Sequence, residues 1–562
     1  MLHKVRDEII RILQTNLGPG IEVELSEPPQ IEMGDFSFAC FELAKAAKQN
    51  PVQLAAVLRE KIVASLSPQG LVREVQAVGP YLNFFIDQEK ITTQVLSGPV
   101  SFKGSRGTVL MDVFQANSLK AFHIGHVRNA ALGESIRRIL AFVGYKTKTY
   151  SYYGDVGINI ARWLWYFEKF YQGAVPKAGF NKWAGEIYAQ AAQKVAEKPE
   201  YEAECQEYNR RLDQRDPKLV KIWKKLCAQS YAGSQEIKKE LNCQVDYFFP
   251  ESVCEAPGKK YVQAQIKAGK LKKDQGAWVI DLDKYDLGVF ILLKSDGTAL
   301  YQTKDYGLAE LRRKKVSNFT KLLFVVGSEQ EFYFRQLFKS MAVLGYPGWD
   351  RNYHVAHGLV SLQDGKMASR LGNVIVYEDL RNETIKRVLA EINKRNASLK
   401  NKAKVAEVVA FGAIKFAMLS VDNTRPIKFD WDAVLDFEGD TGPYLQYTYA
   451  RIRSISRKSG HKKLVAKVDY SLLANIEERR LIKVLSRFSN VITKAADEYR
   501  PSLIANYLLN LASEFNHFYH ACKVIDQTQP KLMSARLVLI DKVASTIQSG
   551  LALLGIETVE EM

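Results

Sequence analysis

Twice in this chain a short apolar run leads straight into a long amphipathic helix. VLMDVF (Val109–Phe114) precedes a helical pattern that continues to Val143, and KLLFVV (Lys321–Val326) precedes one that continues to Leu344. Strands of this kind alternating with long helices predict an α/β fold with a parallel sheet, because parallel strands need a crossover helix to return the chain to the same edge. At 562 residues the chain is too long for that sheet to be its only core.

The rest divides around those two units. Residues 1 to about 88 read as a small α/β module, with an amphipathic helix over Leu2–Leu17, a Gly34-Asp35 turn, two further helices and short strands at Val72–Ala77 and Tyr81–Ile86. Gly104 to Gly107 punctuate the chain ahead of the first apolar run. The stretch from about 160 to 300 is charged and helical in pattern, so it reads as an insertion within a sheet domain covering 105–435. Beyond about 436, Leu473, Ile476, Leu481, Ile482, Leu485 and Phe488 recur close to helical spacing, which predicts a separate all-α bundle over 436–562. KSGHKK (Lys458–Lys463) is the nearest thing to a linker.

Composition narrows the function class. With 47% apolar and 25% charged residues the chain is globular throughout. Lys and Arg number 79 against 62 Asp and Glu, a net +17, which favours nucleic acid first and a membrane surface second. A basic surface that merely solubilises fits the charge equally well. The opening MLHKVRDEIIRIL has charges scattered through it and no cleavage-site pattern, and no apolar stretch is long enough to span a bilayer, so a cytoplasmic protein is expected. Six scattered cysteines without a C-x-x-C pair predict reduced thiols and no metal centre.

The sharpest local feature is His123-Ile124-Gly125-His126, directly after the first strand. Leu132, Ile136, Ile139, Leu140 and Val143 share one helical face and Gly144 ends the run, so both histidines belong to an exposed first turn. A helix amino end offers unpaired N–H groups and positive potential to phosphate. Two imidazoles add donors for charge growing on the α-phosphate during in-line attack, and Gly125 lets a purine lie against bare backbone. The plain alternative is a helix cap with solvated histidines. A second piece, Gly365-Lys366-Met367-Ala368-Ser369-Arg370, follows the strand-like His354–Leu362. A lysine on such a loop can neutralise a pyrophosphate leaving group, or can simply be solvated.

Together the two segments resemble the HIGH and KMSKS signatures of class I aminoacyl-tRNA synthetases, in the right order and about 240 residues apart. The likeness narrows at Asn117-Ser118-Leu119-Lys120-Ala121-Phe122-His123, which is similar to the run before the first histidine in arginyl-tRNA synthetases, with Ala121 where that family has proline. Tyr301-Gln302-Thr303-Lys304-Asp305, Val326-Gly327-Ser328-Glu329-Gln330, Thr441-Gly442-Pro443-Tyr444-Leu445-Gln446-Tyr447 and the terminal Leu554 through Met562 resemble the same family.

This resemblance implies a Rossmann-like catalytic domain between an N-terminal domain that touches the tRNA elbow and a helical C-terminal domain that reads the anticodon. Arginine and ATP, accompanied by Mg2+, would form arginyl-adenylate, and the terminal adenosine of tRNA(Arg) would then take the arginyl group; a monomer is expected. His123 and His126 would stabilise the transition state, and Lys366 with Lys120 the pyrophosphate. Gly125, backbone from His357 through Gly358 and Leu359 to Val360, and Met367 would join them in holding ATP.

A guanidinium needs a planar carboxylate partner. Tyr301 and Asp305 are four residues apart and share a face if a helix begins near Gln302. The family assigns these positions to arginine, with Gln330, Asn117 and the position of Ser151 completing the pocket. The plain alternative for Asp305 is a surface or capping acid near Arg312 and Arg313. For tRNA, Tyr444, Tyr447 and Tyr449 interleave with the basic run Arg451–Lys467, a pairing of phosphate contact with base stacking that suits single-stranded RNA. Tyr444, Tyr447 and Arg451 are the tRNA contacts expected from this pattern, and the resemblance of the Thr441–Tyr447 run and of the terminal segment adds Gln446 and Met562, whereas Lys386–Lys404 reads as a solvated face.

Departures matter. The family's Gly-Asp-Trp-Gly run and the asparagine before it become Ser151, then Gly154-Asp155-Val156-Gly157, and Ser369 stands where the general motif has its second lysine, a role the family gives to the residue at Lys120. Other H-x-G-H nucleotidyltransferases and an RNA-binding relative without activity stay open as readings. A P-loop is excluded by the spacing and by Met367 after the lysine.

Overall fold

The computed structural model describes residues 2–17, 23–28, 31–102, 104–362, 375–460 and 468–562. Its centre is a sheet of five parallel strands: β1 (Thr108–Asp112), β2 (Lys146–Tyr153), β3 (Tyr247–Pro250), β4 (Lys321–Gly327) and β5 (Asn352–His357), in spatial order β5-β4-β1-β2-β3. The chain builds outward from β1 to β3, then crosses back and builds the other way from β4 to β5. The reversal between β1 and β4 opens a crevice at the carboxyl ends of those strands, the place where open α/β sheets bind ligands. Helices Ile124–Phe142 and Glu331–Leu344 follow β1 and β4 as the sequence predicts.

The stretch expected to be helical to about 300 is only partly so. Helices Ile158–Lys169, Phe180–Glu197, Pro199–Asp213 and Pro217–Glu240 pack around Trp163, Trp165 and Trp223. Tyr247–Pro250 then returns to the main sheet beside β2, and Lys272–Asp274, Ala277–Asp281 and Val289–Leu293 form an antiparallel sheet of their own. Strands of three to five residues are too short to display a period, and the first of these is fully exposed and charged.

The N-terminal module is a four-stranded antiparallel sheet carrying helices Leu2–Leu17, Phe41–Ala47 and Pro51–Ser65. The C-terminal region is helical over Gly442–Lys458, Ile476–Ser486, Phe488–Asp497, Ser502–Ala521 and Pro530–Leu553. Leu473 lies outside these helices and Phe488 starts a new one, so the apolar run read as continuous is broken by a cap at Asn475 and a turn at Arg487. Among the described residues no helix is long and apolar enough to cross a membrane.

One buried cation joins the pieces. Arg128, on the helix after β1, is 1% exposed and donates to the carbonyls of Gly358, Asn423 and Arg425 at 2.8 Å and of Leu359 and Asp422 at 3.3 Å. Burial brings its guanidinium down to about 10, still charged at neutral pH. Replacing Arg128 with Met would leave these carbonyls without their donor, so Arg128→Met should lose roughly 3 kcal/mol or more of stability. Urea unfolding followed by tryptophan fluorescence measures this, and an unchanged midpoint would contradict the role.

Candidate active site

The site is assembled at the carboxyl ends of β1, β2, β4 and β5. After β1 the chain turns through Phe114 and Leu119, both buried and both at φ 56°. Between them Asn117 stands exposed beside Gly154 at the end of β2, where the Ser118 N–H donates to the Gly154 carbonyl at 2.8 Å. A Cβ at Gly154 would come within 2.5 Å of the Asn117 amide oxygen, so glycine lets the Asn117 side chain lie against this strand end. The insertion supports the other side. Ser230 accepts the Leu119 N–H at 3.1 Å, Gly185 packs on Ala121 so tightly that a Cβ would meet it at 2.5 Å, and the Lys120 ammonium lies 5.5 Å from the centre of the Tyr188 ring.

His123 caps the helix Ile124–Phe142, its Nδ1 accepting the Gly125 N–H at 3.2 Å, while its own N–H donates to His126 Nδ1 at 3.1 Å. With both Nδ1 atoms accepting, each neutral ring carries its proton on Nε2, which leaves two N–H donors at the helix start. Burial with the nearby Lys120 pushes His123 down to about 4, and burial with His123 pushes His126 well below the usual imidazole range. At neutral pH the pair therefore offers hydrogen-bond donors rather than charge. The rings are 3.7 Å apart, and Phe122 stacks on His126 at 4.9 Å.

The segment that leaves the Lys366 loop is bound to this turn: Ile124 N–H donates to the Ile375 carbonyl at 3.0 Å and Tyr377 N–H to the Phe122 carbonyl at 2.8 Å. Lys366 and Met367 themselves lie outside the described residues. At the end of β5, His357 is buried and Leu359 exposes its side chain. Val360 starts a short strand paired with Ile427. At Gly358 the N–H donates to the Asn423 carbonyl and the carbonyl accepts from Arg128, so the polar backbone atoms of this expected nucleotide contact are engaged internally.

Across the crevice the helix Tyr301–Lys315 begins at Tyr301 itself, which is exposed, and Asp305 is one turn on. Tyr333 donates its hydroxyl to Asp305. Burial pushes Asp305 up to about 6, with the Tyr333 hydrogen bond and Arg312 opposing the rise. Gln330 is exposed in the turn after β4. Ser151, expected beside arginine, is fully buried, and its hydroxyl donates to the Phe114 carbonyl at 2.7 Å. On the other face of β2 the buried Tyr152 hydroxyl has no hydrogen-bond partner, nor has Asp112 Oδ1 at the end of β1. Burial pushes Asp112 up to about 7. Val156, Tyr301 and the 2.7 Å ion pair Lys304–Glu251 line an adjoining cavity of 590 Å³.

Residues 92–431 match the family described as tRNA synthetases class I (R), catalytic domain, residues 1–86 the arginyl tRNA synthetase N terminal domain, and residues 445–562 the DALR anticodon binding domain. The arginine–tRNA ligase of Clostridium perfringens is 35% identical over 552 residues, 96% of each chain, and that of Halothermothrix orenii is 33% identical over 551 residues with the same coverage. The solved Thermus thermophilus arginyl-tRNA synthetase superposes with a TM-score of 0.83 at 27% identity, covering 100% of both chains. The chain belongs to the arginyl-tRNA synthetase family.

Within the family's helical domain, Tyr444, Tyr447 and Arg451 fall on one half-buried face of helix Gly442–Lys458. Tyr444 accepts from Asn516 at 2.8 Å and the Arg451 guanidinium lies 4.3 Å from the Tyr519 ring centre, so helix Ser502–Ala521 supplies partners that the sequence reading missed. Gln446, expected at the tRNA, is 0% exposed and donates to the Glu557 carbonyl at 2.7 Å, which ties it to the C-terminal tail. Tyr449 bonds Glu560, and the Met562 carbonyl takes the Asn396 amide at 3.5 Å. His461 to Lys467, within the basic run, lie outside the described residues.

The reading also missed Asp112, Tyr152 and Tyr333. An acidic residue closing an apolar strand just before His123 was the available signal for Asp112; nothing local marks the two tyrosines. Removing either histidine donor, by His123→Ala or His126→Ala, should slow adenylate formation about 10²–10³-fold. Because both rings stay neutral far below pH 7, the wild-type chemical step should show no imidazole titration near pH 6–7. Single-turnover adenylate formation across pH tests both statements, and wild-type turnover in either variant would refute the first.

Proposed function

We infer that this chain is an ATP-dependent arginine–tRNA ligase. The arginine carboxylate attacks the α-phosphorus of ATP, the bond to the bridging oxygen breaks, and diphosphate leaves. A ribose hydroxyl of the terminal tRNA adenosine then attacks the arginyl carbonyl and AMP departs.

The observation that carries the reading is the division of charge within one crevice. On one side two neutral imidazole donors stand at a helix start, suited to a phosphate that gains charge during attack. On the other, the Asp305 carboxyl, with Asp112 electrostatically coupled to it, supplies acceptors that a cationic side chain would pair with. In this reading His123 and His126 serve the transition state and Gly125 and the His357–Val360 region the nucleotide, apart from the engaged Gly358. Asp305, Tyr301, Gln330, Asn117 and Asp112 serve arginine. Magnesium would arrive with the nucleotide, its ligands coming largely from phosphate and water, since no three His, Cys, Asp or Glu groups cluster among the described residues.

Asp305→Asn keeps the shape and removes the counter-ion. The apparent KM for arginine should rise by about 10²-fold or more while that for ATP holds, since sites built on charged pairs discriminate strongly. An unchanged arginine constant in steady-state aminoacylation would sink the assignment.

Activation should also depend on tRNA. Helix Phe180–Glu197 touches Lys120 through Tyr188 and, through Lys182–Asp379 at 2.7 Å, the helix Tyr377–Arg395 that follows the Lys366 loop. A tRNA end bound against this insertion could thus set both lysine-bearing segments at once, provided it binds their closed arrangement more tightly. Arginine-dependent pyrophosphate exchange is expected only with cognate tRNA, and to fall with Lys120→Ala. Robust exchange without tRNA would refute the switch, and exchange that survives Lys120→Ala undiminished would remove that lysine from it.

A further inference from the structure

We propose that Tyr333 is a positioning residue for amino-acid recognition, its hydroxyl holding the Asp305 carboxylate in place to receive a guanidinium. This rests on Asp305 being the arginine carboxylate, as argued above.

The two residues come from different helices. Tyr333 is in the first turn of Glu331–Leu344, after β4, and Asp305 in the second turn of Tyr301–Lys315. The Tyr333 ring is fixed by Phe290 and Phe334, with centroids 6.0 and 5.7 Å away, so its hydroxyl reaches Asp305 Oδ2 from a rigid base. An acidic side chain without such a partner has several rotamers open to it. One oxygen held by a phenol leaves the other as the acceptor for a guanidinium, and the Tyr152 hydroxyl that interacts with this carboxyl has no hydrogen-bond partner among the described residues.

The hydroxyl has a second consequence. Facing Asp305 are Arg312 and Lys304 from its own helix, Glu251 and Cys254 from helix Glu251–Lys267, Asp112 from β1, Tyr152 from β2 and Tyr333. Burial outweighs all of them and raises Asp305 to about 6; among the opposing influences the Tyr333 hydrogen bond comes first. Without it the carboxyl would titrate higher, and a protonated carboxyl has lost the paired acceptors that a guanidinium needs.

Tyr333→Phe keeps the ring and deletes only the oxygen. Its apparent arginine KM should exceed that of wild type at every pH, by about tenfold near pH 6.5 and by a smaller factor near pH 8.5, where the carboxyl is ionised in both, with ATP KM and kcat at saturating arginine unchanged. A ratio of one at either pH would overturn the proposal. So would loss of fold in thermal unfolding, since a bond that the fold itself requires is structural. Asp305→Asn, run beside it, should weaken arginine at every pH. Wild-type arginine KM in Asp305→Asn would instead remove the underlying assignment, which keeps the two failures distinct.

Discussion

The structure hangs on Arg128. A guanidinium buried without a carboxylate is costly unless every N–H finds an acceptor, and here the acceptors are carbonyls from two loops far apart in the chain, 358–359 and 422–425. The helix bearing the histidine pair, the end of β5 and the approach to the C-terminal bundle therefore form one body. The tie extends further, because Asn423 donates to the Tyr499 carbonyl at 2.8 Å. The same helix touches the far end of the bundle, with Ser135 donating to Leu553 at 3.0 Å and Arg138 to Ala552 at 3.1 Å. The bundle is thus tied to the histidine helix by direct hydrogen bonds and by way of the 422–425 loop.

Within that body, burial produces opposite results on the two walls of the crevice. It lowers the imidazoles, keeping them neutral donors suited to phosphate, and raises the carboxyls of Asp112 and Asp305 towards neutrality. The carboxyls then depend on neighbours to stay charged, and Arg312 is the shared one. It is 5% exposed, bonded to the Tyr150 hydroxyl at 2.6 Å, and it acts on both acids. A buried cation beneath two acids keeps negative potential available to a substrate that carries its own positive charge.

The insertion is not a passive decoration on this site. Tight packing at Gly185 and Ala121, the Tyr188–Lys120 contact and the Lys182–Asp379 pair place it against the segment bearing Lys120 and against helix Tyr377–Arg395. Glu240, at the end of its last helix, also accepts the Tyr377 hydroxyl at 2.7 Å and Arg381 at 2.6 Å. Substitution of Val156 for the family's tryptophan leaves a small side chain on the wall of the cavity beside the proposed arginine site, where the insertion and the sheet meet.

What the sequence determined by itself was everything carried by local period and local chemistry. The strand-to-helix units after Val109 and Lys321, the histidines at a helix start and the helical spacing from Tyr301 to Asp305 were all legible, because strands and helices impose their periods on neighbouring residues. The five strands of the sheet were not, since the four-residue Tyr247–Pro250 carries too little pattern to separate from the helices around it. Pairings between distant segments were also hidden. Ser151 turns to Phe114, Gln446 holds the tail at Glu557, Gly358 is engaged by Arg128 and Asn423, and Tyr333 reaches Asp305 across 28 residues. Each of these depends on which face of an element is turned inward and what then lies opposite. That is decided only when the sheet order and helix packing bring the partners together, because burial, not residue type, determines which polar groups must find one another.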